Sequence, residues 1–395
     1  MAEVIKPQRL VSIDALRAIV MVLMIFVNDL WSLIKIPEWL EHAPGGANYM
    51  GLADVVFPAF LFIVGLSVPY AIDSRRKKGD TDVEIFLHIV ARTLALLVMG
   101  FFHVNMDSYS EAAVLSKGCW TILVTIGFFL VWLDYTEYKP LLSKILKATG
   151  ILILVGMAMF FYDGKDAGIL AMKPQWWGIL GLIGWAYFIA SAVFLFSSGR
   201  LLVQILAFVF FMAFNSFNYL GWLSGLHQLQ QYVWIVENGA MPALTLAGII
   251  TALVYRKFTA QNWKFWLSIS AFTLALVIFS YITFPLWGLS KIRATPAWVS
   301  LSSAITIVAF GLMVYLTEIL QQRKWYNFIK PAGTSTLTCY LLPYMHYALI
   351  GLFNLPQLPS VLRTGAVGLA KSFCYALLIV ALCGLLAKIR IRLKI

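Results

Sequence analysis

The chain has 395 residues, of which 61% are hydrophobic and 12% charged, with a formal net charge of +12 and a mean hydropathy of +0.84. Soluble domains carry about 25% charged residues, so a water-soluble fold is excluded. The apolar runs are continuous and roughly twenty residues long, which also excludes a transmembrane barrel built from ~10-residue alternating strands.

Taken in chain order, the runs predict an all-α, polytopic transmembrane bundle of about 11–12 spans. They fall near 12–36, 52–73, 83–104, 116–134, 147–162, 175–197, 201–220, 240–256, 264–284, 296–320, 331–354 and 364–388. The runs at 147–162 and 201–220 carry the weakest signal. No linker, low-complexity tract or repeat divides the chain, so residues 1–395 read as one membrane domain. Met1–Leu10 holds no separate apolar stretch with a cleavage site, and the first helix is expected to be retained.

Twelve spans place both termini on one side. Loops on that side hold 20 basic residues, among them Lys6, Arg9, Arg75, Arg76, Lys77, Lys78, Arg256 and Arg323. The opposite loops hold 7: Lys35, Lys117, Lys165, Lys173, Lys291, Arg293 and Arg363. The positive-inside rule makes both termini cytoplasmic. The same alternation argues against nucleic acid as the partner of the positive charge. Cys119, Cys339, Cys374 and Cys383 lie in or beside apolar runs without metal-ligand spacing, so reduced thiols and no metal are expected.

Ionisable groups at membrane depth are costly and mark candidate sites. The first helix carries Asp14, Arg17 and Asn28. Arg17 and Asn28 differ by only about 20° after three turns and are separated by ~16 Å of helix. Asp14 can pair with Arg17 at i,i+3, and simple mutual neutralisation is the competing reading. Asn28 can serve a site or an interhelical hydrogen bond. The loop that follows, Pro37–Gly51, brings His42, and the second helix opens with Asp54. A histidine near neutrality is the usual general base, and a carboxylate beside it fixes the tautomer. A solvated loop histidine is the plain alternative. The third span places His88, Arg92 and His103 on one face, and Arg92 there needs an anion: a carboxylate (Asp14 or Asp54) or a phosphate-bearing ligand. A second long loop, near 221–240, joins the first in supplying aromatic residues: Trp39, Tyr49, Trp222, Tyr232 and Trp234. These read as an interfacial belt or as a platform for sugar rings. The eleventh span opens as Pro331-Ala332-Gly333-Thr334-Ser335-Thr336, a start suited to phosphate or to close helix packing.

Beyond these physical arguments, the stretch RLVSIDALRAIVMVLMIFVNDLW … HAPGGANYMGLADVVFPAFLFIVGLSVPYAI … ARTLALLVMG resembles the opening of the heparan-α-glucosaminide N-acetyltransferase family of transmembrane acetyltransferases. The matching pieces are Ser12-Ile13-Asp14, Leu16-Arg17, Phe26-Val27-Asn28, His42-Ala43, Ala53 through Pro58, Gly65, Ser67 and Arg92. Order and spacing agree over about residues 9–100, and a catalytic segment of about 9–140 is implied. Further on, PAGTSTLTCYLLPY resembles a late helix of bacterial members. The Leu-Gln-Arg element that the family tends to carry in its fourth helix is absent; Lys117-Gly118-Cys119-Trp120-Thr121 stands there instead.

The resemblance implies acetyl transfer from cytoplasmic acetyl-CoA to an amino sugar of glucosamine type, or another glycan, on the far side of the membrane. It implies His42 as base or acetyl carrier, with Asn28 and Asp54 beside it. Arg17 with its neighbour Asp14, Arg92, and Arg75 and Arg76 of the basic loop are expected at the donor's phosphate end. Two other readings stay open: a secondary transporter using a proton relay, and an O-acetyltransferase of an envelope glycan. The expected partners are the lipid bilayer, acetyl-CoA and a small sugar or glycan; a homodimer stays open. Short loops and the lack of a targeting extension point to a bacterial inner membrane.

Overall fold

The computed structural model describes residues 10–230, 232 and 238–395. Lys6, Arg9 and Trp234 lie outside the described residues. Among those described there is no strand, and the helices in order are α1 Val11–Asp29, α2 Leu52–Arg76, α3 Asp82–Asp107, α4 Lys117–Trp132, α5 Pro140–Met159, α6 Ile179–Phe196, α7 Leu201–Tyr219, α8 His227–Gln230, α9 Ala240–Phe258, α10 Trp263–Trp287, α11 Pro296–Val314, α12 Lys330–Thr334, α13 Thr336–Leu352 and α14 Gly365–Lys388. The two shortest, α8 and α12, are single turns. Each of the other twelve overlaps one predicted span. Ten described helices are long and apolar enough to cross a membrane, while α4 and α13 have 16 and 17 residues.

Three boundaries differ from the hydropathy pattern for local reasons. The first helix stops at Asp29 and tightens into a 3-10 turn, Leu30–Ser32. Helix α5 begins at Pro140 and not near 147, because proline at the first helical position costs no hydrogen bond. Lys144 and Lys147 therefore lie on the helix. The span opening at Pro331 is interrupted at Ser335, whose φ of −128° and ψ of 44° break the helix. Beyond Val314, α11 widens into a π-helical turn, Tyr315–Ile319.

Packing divides the described chain into two compact units. The first comprises residues 10–20, Pro37–Leu94 and Ile183–Lys330. Its centre is the pair α2 and α9, which touch backbone to backbone. A Cβ added to Gly65 would lie 1.8 Å from the Thr245 carbonyl oxygen, and one on Gly248 would lie 2.0 Å from that of Phe62. Small residues allow this approach, the usual basis of helix association in lipid. Helices α10 and α11 lie alongside each other, with Ser280 Oγ donating to the Ala297 carbonyl. Only 22% of the apolar window of α10 is covered, against 67% for α2, as expected of a helix whose outer face meets lipid.

The second unit comprises Met21–Ile36, Ala95–Leu182 and Pro331–Ile395. Trp120, fully buried, donates from Nε1 to the Met157 carbonyl and joins α4 to α5. The C-terminal residues form a strap. Asp134 N donates to Arg392 O, Lys394 N to Trp132 O, and Leu393 N to Thr338 Oγ1. Asp134 also takes the side chains of Arg392 at 2.6 Å and Lys394 at 3.3 Å. The Thr136 hydroxyl first, and then the Arg392 guanidinium, hold this carboxyl well below the usual carboxylate range.

Candidate active site

The loop from Pro37 to Gly51 folds back over the start of α2, and Asp54 is what fastens it. Gly51 is the N-cap and Asp54 the third residue of the helix. Asp54 Oδ2 accepts from the backbone amides of Gly51 at 3.1 Å and Ala43 at 2.9 Å. A carboxylate at a helix N-terminus is favoured by the macrodipole and by free N–H groups. No side chain fits at Gly51, where a Cβ would fall 1.9 Å from the Glu41 carbonyl oxygen.

The second oxygen of Asp54 reaches the histidine. Oδ1 lies 2.7 Å from His42 Nδ1. The Asp54 side chain is 1% exposed and that of His42 46%. A buried carboxylate on Nδ1 keeps the proton there and leaves the lone pair on Nε2. Behind the pair, buried Trp298 donates from Nε1 to the Asp54 carbonyl at 3.0 Å.

A third group completes the constellation. Lys291 Nζ sits 3.3 Å from Nδ1 and 3.5 Å from Nε2 of His42, and 6.0 Å from the centre of the Phe57 ring. It stands on the segment between α10 and α11, which is fixed to the His42 loop. Arg293 Nη2 donates to Asn48 Oδ1 at 2.8 Å and to the Ala47 carbonyl at 3.3 Å. Asn215 and Tyr219 of α7 donate to the carbonyls of Ala294 and Arg293. Around this end of the unit Trp39, Tyr49, Trp222 and Tyr232 are exposed.

The opposite end of α2 opens into a cavity of about 840 Å³ within the same unit. Arg17, Ser67, Tyr70, Asp73, Arg256 and Arg323 are among its lining residues. Arg17 Nη1 meets Asp14 Oδ1 at 3.1 Å, and Nη2 donates to Ser67 Oγ at 2.6 Å. Arg256 pairs with Asp73 and Arg323 with Glu318. Glu318 reaches the cavity from the π-helical turn. Thirteen residues of helix, about 20 Å, separate Asp54 from Ser67.

Of the residues singled out in the sequence, His42 and Asp54 are brought together, and Asp14 and Arg17 line the cavity. Arg75 and Arg76 instead pair with Asp80 and Asp82 at the α2–α3 turn. Arg92 lies 4.9 Å over the Tyr187 ring, and its buried Nε has no hydrogen-bond partner among the described residues. Asn28 is exposed and belongs to the second unit. There the buried group is its neighbour Asp29, which accepts from Lys371 Nζ at 2.7 Å, Ser372 Oγ and Tyr347 OH. Also in that unit, His103 stacks on Tyr344 at 4.4 Å. Lys291, Arg256, Arg323 and Asp29 were not singled out as site residues. Their only sequence signal is charge, and in the case of Asp29 adjacency to Asn28.

A family model described as a domain of unknown function, DUF5009, matches residues 9–238, more than half of the chain. The chain belongs to the DUF5009 family. Within the region of the DUF5009 match lie α1, the His42 loop and Asp54; Lys291 lies beyond it. This DUF5009 chain is also 33% identical over 103 residues to human heparan-alpha-glucosaminide N-acetyltransferase. That match covers 25% of the chain and 14% of the human protein. The mouse protein of the same name is 33% identical over 140 residues, covering 33% of the chain and 20% of the mouse protein. The matched stretch is thus a small part of these curated relatives. No group of three or more His, Cys, Asp or Glu side chains among the described residues is arranged to hold a metal ion.

Proposed function

We propose that this protein is a membrane acetyltransferase that moves acetyl from acetyl-CoA at one face of the bilayer to an amino-sugar or glycan acceptor at the other. The observation that carries this reading is the His42–Asp54 pair: a buried, amide-clamped carboxylate on Nδ1 and an open Nε2 at the end of a membrane-crossing helix. Acyl transfer needs such a base. In direct transfer the acceptor nitrogen attacks the thioester carbonyl, the C–N bond forms and the C–S bond breaks. Nε2 takes the proton from the amine and returns it to the departing thiolate. In a two-step route Nε2 itself attacks the thioester carbonyl and the C–S bond breaks as the thiolate leaves. The acceptor nitrogen then attacks the acetyl carbon, the Nε2–acetyl bond breaks, and the amine proton passes to the released Nε2. Both routes use the same atom.

The cavity at the far end of α2 suits the donor. Arg17, Arg256 and Arg323 line it, and guanidinium groups match phosphate oxygens in pairs. Each arginine there already has a carboxylate partner, so phosphates would compete for or share these cations. The charge bias of the loops supports a cytoplasmic position for this end, where acetyl-CoA is available. The exposed Trp39 and Tyr49 in the loop of His42 offer flat faces to a sugar ring.

The test is acetyl-CoA turnover by purified protein in detergent, wild type against His42→Ala, with glucosamine and a panel of amino sugars. Transfer by the wild type and a loss of about 10²–10⁴-fold in the variant are expected. Equal turnover by both proteins, or no binding of acetyl-CoA by either, overturns the reading.

A further inference from the structure

Lys291 comes nearly as close to one ring nitrogen of His42 as to the other, at 3.3 and 3.5 Å. No point in the ring plane can do this without overlapping the Cε1 that lies between them. The amine therefore stands over the face of the imidazole. From there it leaves the Nδ1 hydrogen bond to Asp54 in place and does not lie along the in-plane lone pair of Nε2. Its influence on the ring is electrostatic.

That influence opposes the one from α2. A carboxylate alone beside a histidine favours the imidazolium form, and imidazolium has no lone pair with which to accept a proton. A base built only from His42 and Asp54 would thus be drawn toward its inactive form. A cation on the ring face disfavours the second proton. The charged groups gathered here are Asp54 from α2, Lys291 and Arg293 from the segment before α11, and Glu41 in the loop of His42 itself. Of these, Asp54 and Lys291 touch the ring, and Arg293 is engaged with Asn48.

We propose that Lys291 is a positioning residue for the acyl transfer: its cation holds His42 neutral against the pull of Asp54, so that Nε2 stays free to accept a proton. The proposal rests on the reading of His42 as the base. Two placements support it. The segment of Lys291 is held by the Arg293–Asn48 contact on the very loop that carries His42, and the Lys291 amine lies 6.0 Å from the ring centre of Phe57, the residue three positions after Asp54. Burial presses the Lys291 amine below its ordinary value, and the Asp54 carboxylate pushes it back up.

Diethyl pyrocarbonate tests this without any substrate, since it modifies imidazole only in its unprotonated form. The full chain in detergent is treated across pH, and modification at His42 is read by peptide mass spectrometry in wild type, Lys291→Met and Lys291→Arg. His346, in the second unit, serves as the internal control for folding. The expected result is a rise of about one pH unit in the His42 midpoint for Lys291→Met. Lys291→Arg should keep the wild-type midpoint, and His346 should behave alike in all three. An unmoved or lowered midpoint in Lys291→Met overturns the proposal. Acetyl transfer by the same preparations separates the two readings. A shifted midpoint in a protein that never uses acetyl-CoA keeps the charge coupling and removes the acetyltransferase. An unshifted midpoint in an active enzyme does the reverse.

Discussion

Asp54 and Asp29 are both buried carboxylates at helix ends, yet they are satisfied in different ways. Asp54 takes two backbone amides on one oxygen and a single histidine on the other. Its partner is half exposed and has a second ring nitrogen that the carboxylate does not engage. Asp29 takes an ammonium and two hydroxyls, and Lys371 is held in turn by Ser32 Oγ at 3.1 Å. All four of those partners are spent on holding the helices of the second unit together. Burial of a charge is therefore a poor guide by itself. What separates the two is whether the buried carboxylate ends on a group with a vacant, reachable lone pair.

Substitution at the two carboxylates should keep this distinction apart, beginning with the largest effect. Asp54→Asn retains the amide contacts of the loop but loses the charge that fixes the His42 tautomer; acetyl transfer should fall by about 10²–10⁴-fold, read as kcat at saturating acetyl-CoA. Asp29→Ala strands Lys371 without its partner. A loss of roughly 3–5 kcal/mol of stability is expected, seen as a lower melting temperature in detergent, with turnover per folded molecule kept. If Asp29→Ala instead removed turnover from well-folded protein, the contrast would collapse.

Two smaller experiments sharpen it. Arg17→Ala deletes a cavity cation that is paired with Asp14 and Ser67; KM for acetyl-CoA should rise about tenfold with kcat little changed, the pattern of lost ground-state binding. Last comes the C-terminal strap. Because the Asp134 carboxyl is lowered in the folded protein, its contribution is present above the unfolded value of about 3.9. It is lost as pH falls below that value toward the folded one. Wild type should lose stability between about pH 4 and pH 2 more steeply than Asp134→Asn, as followed by thermal melting across that range.

The helical architecture was legible because hydropathy sets it directly: each predicted span has its helix. Where the boundaries moved, a single residue decided, as at Pro140 and Ser335. The His42–Asp54 pair was legible for a similar reason, since one loop joins them and only 12 positions separate them. Lys291 was not, at 249 positions from His42; in the sequence it counts only toward loop charge. Asp29 was overlooked because helical phase favoured Asn28, which lines up with Arg17, whereas packing buried the next side chain. Arg75 and Arg76 were expected at the donor's phosphates from charge alone; their pairing with Asp80 and Asp82 was not foreseen. A basic run says nothing about which acids its turn will bring back.

The bare contact between α2 and α9, made possible by Gly65 and Gly248, has one more consequence. Two helices locked backbone to backbone cannot slide, so the interval between the cavity and His42 is a fixed measuring rod of about 20 Å. A donor anchored by its phosphates would be gauged by the length of its arm as well as by its acyl group. Acetyl thioesters truncated to the cysteamine end carry the same reactive carbon without the anchor, and should be poor donors at any concentration that leaves the membrane intact.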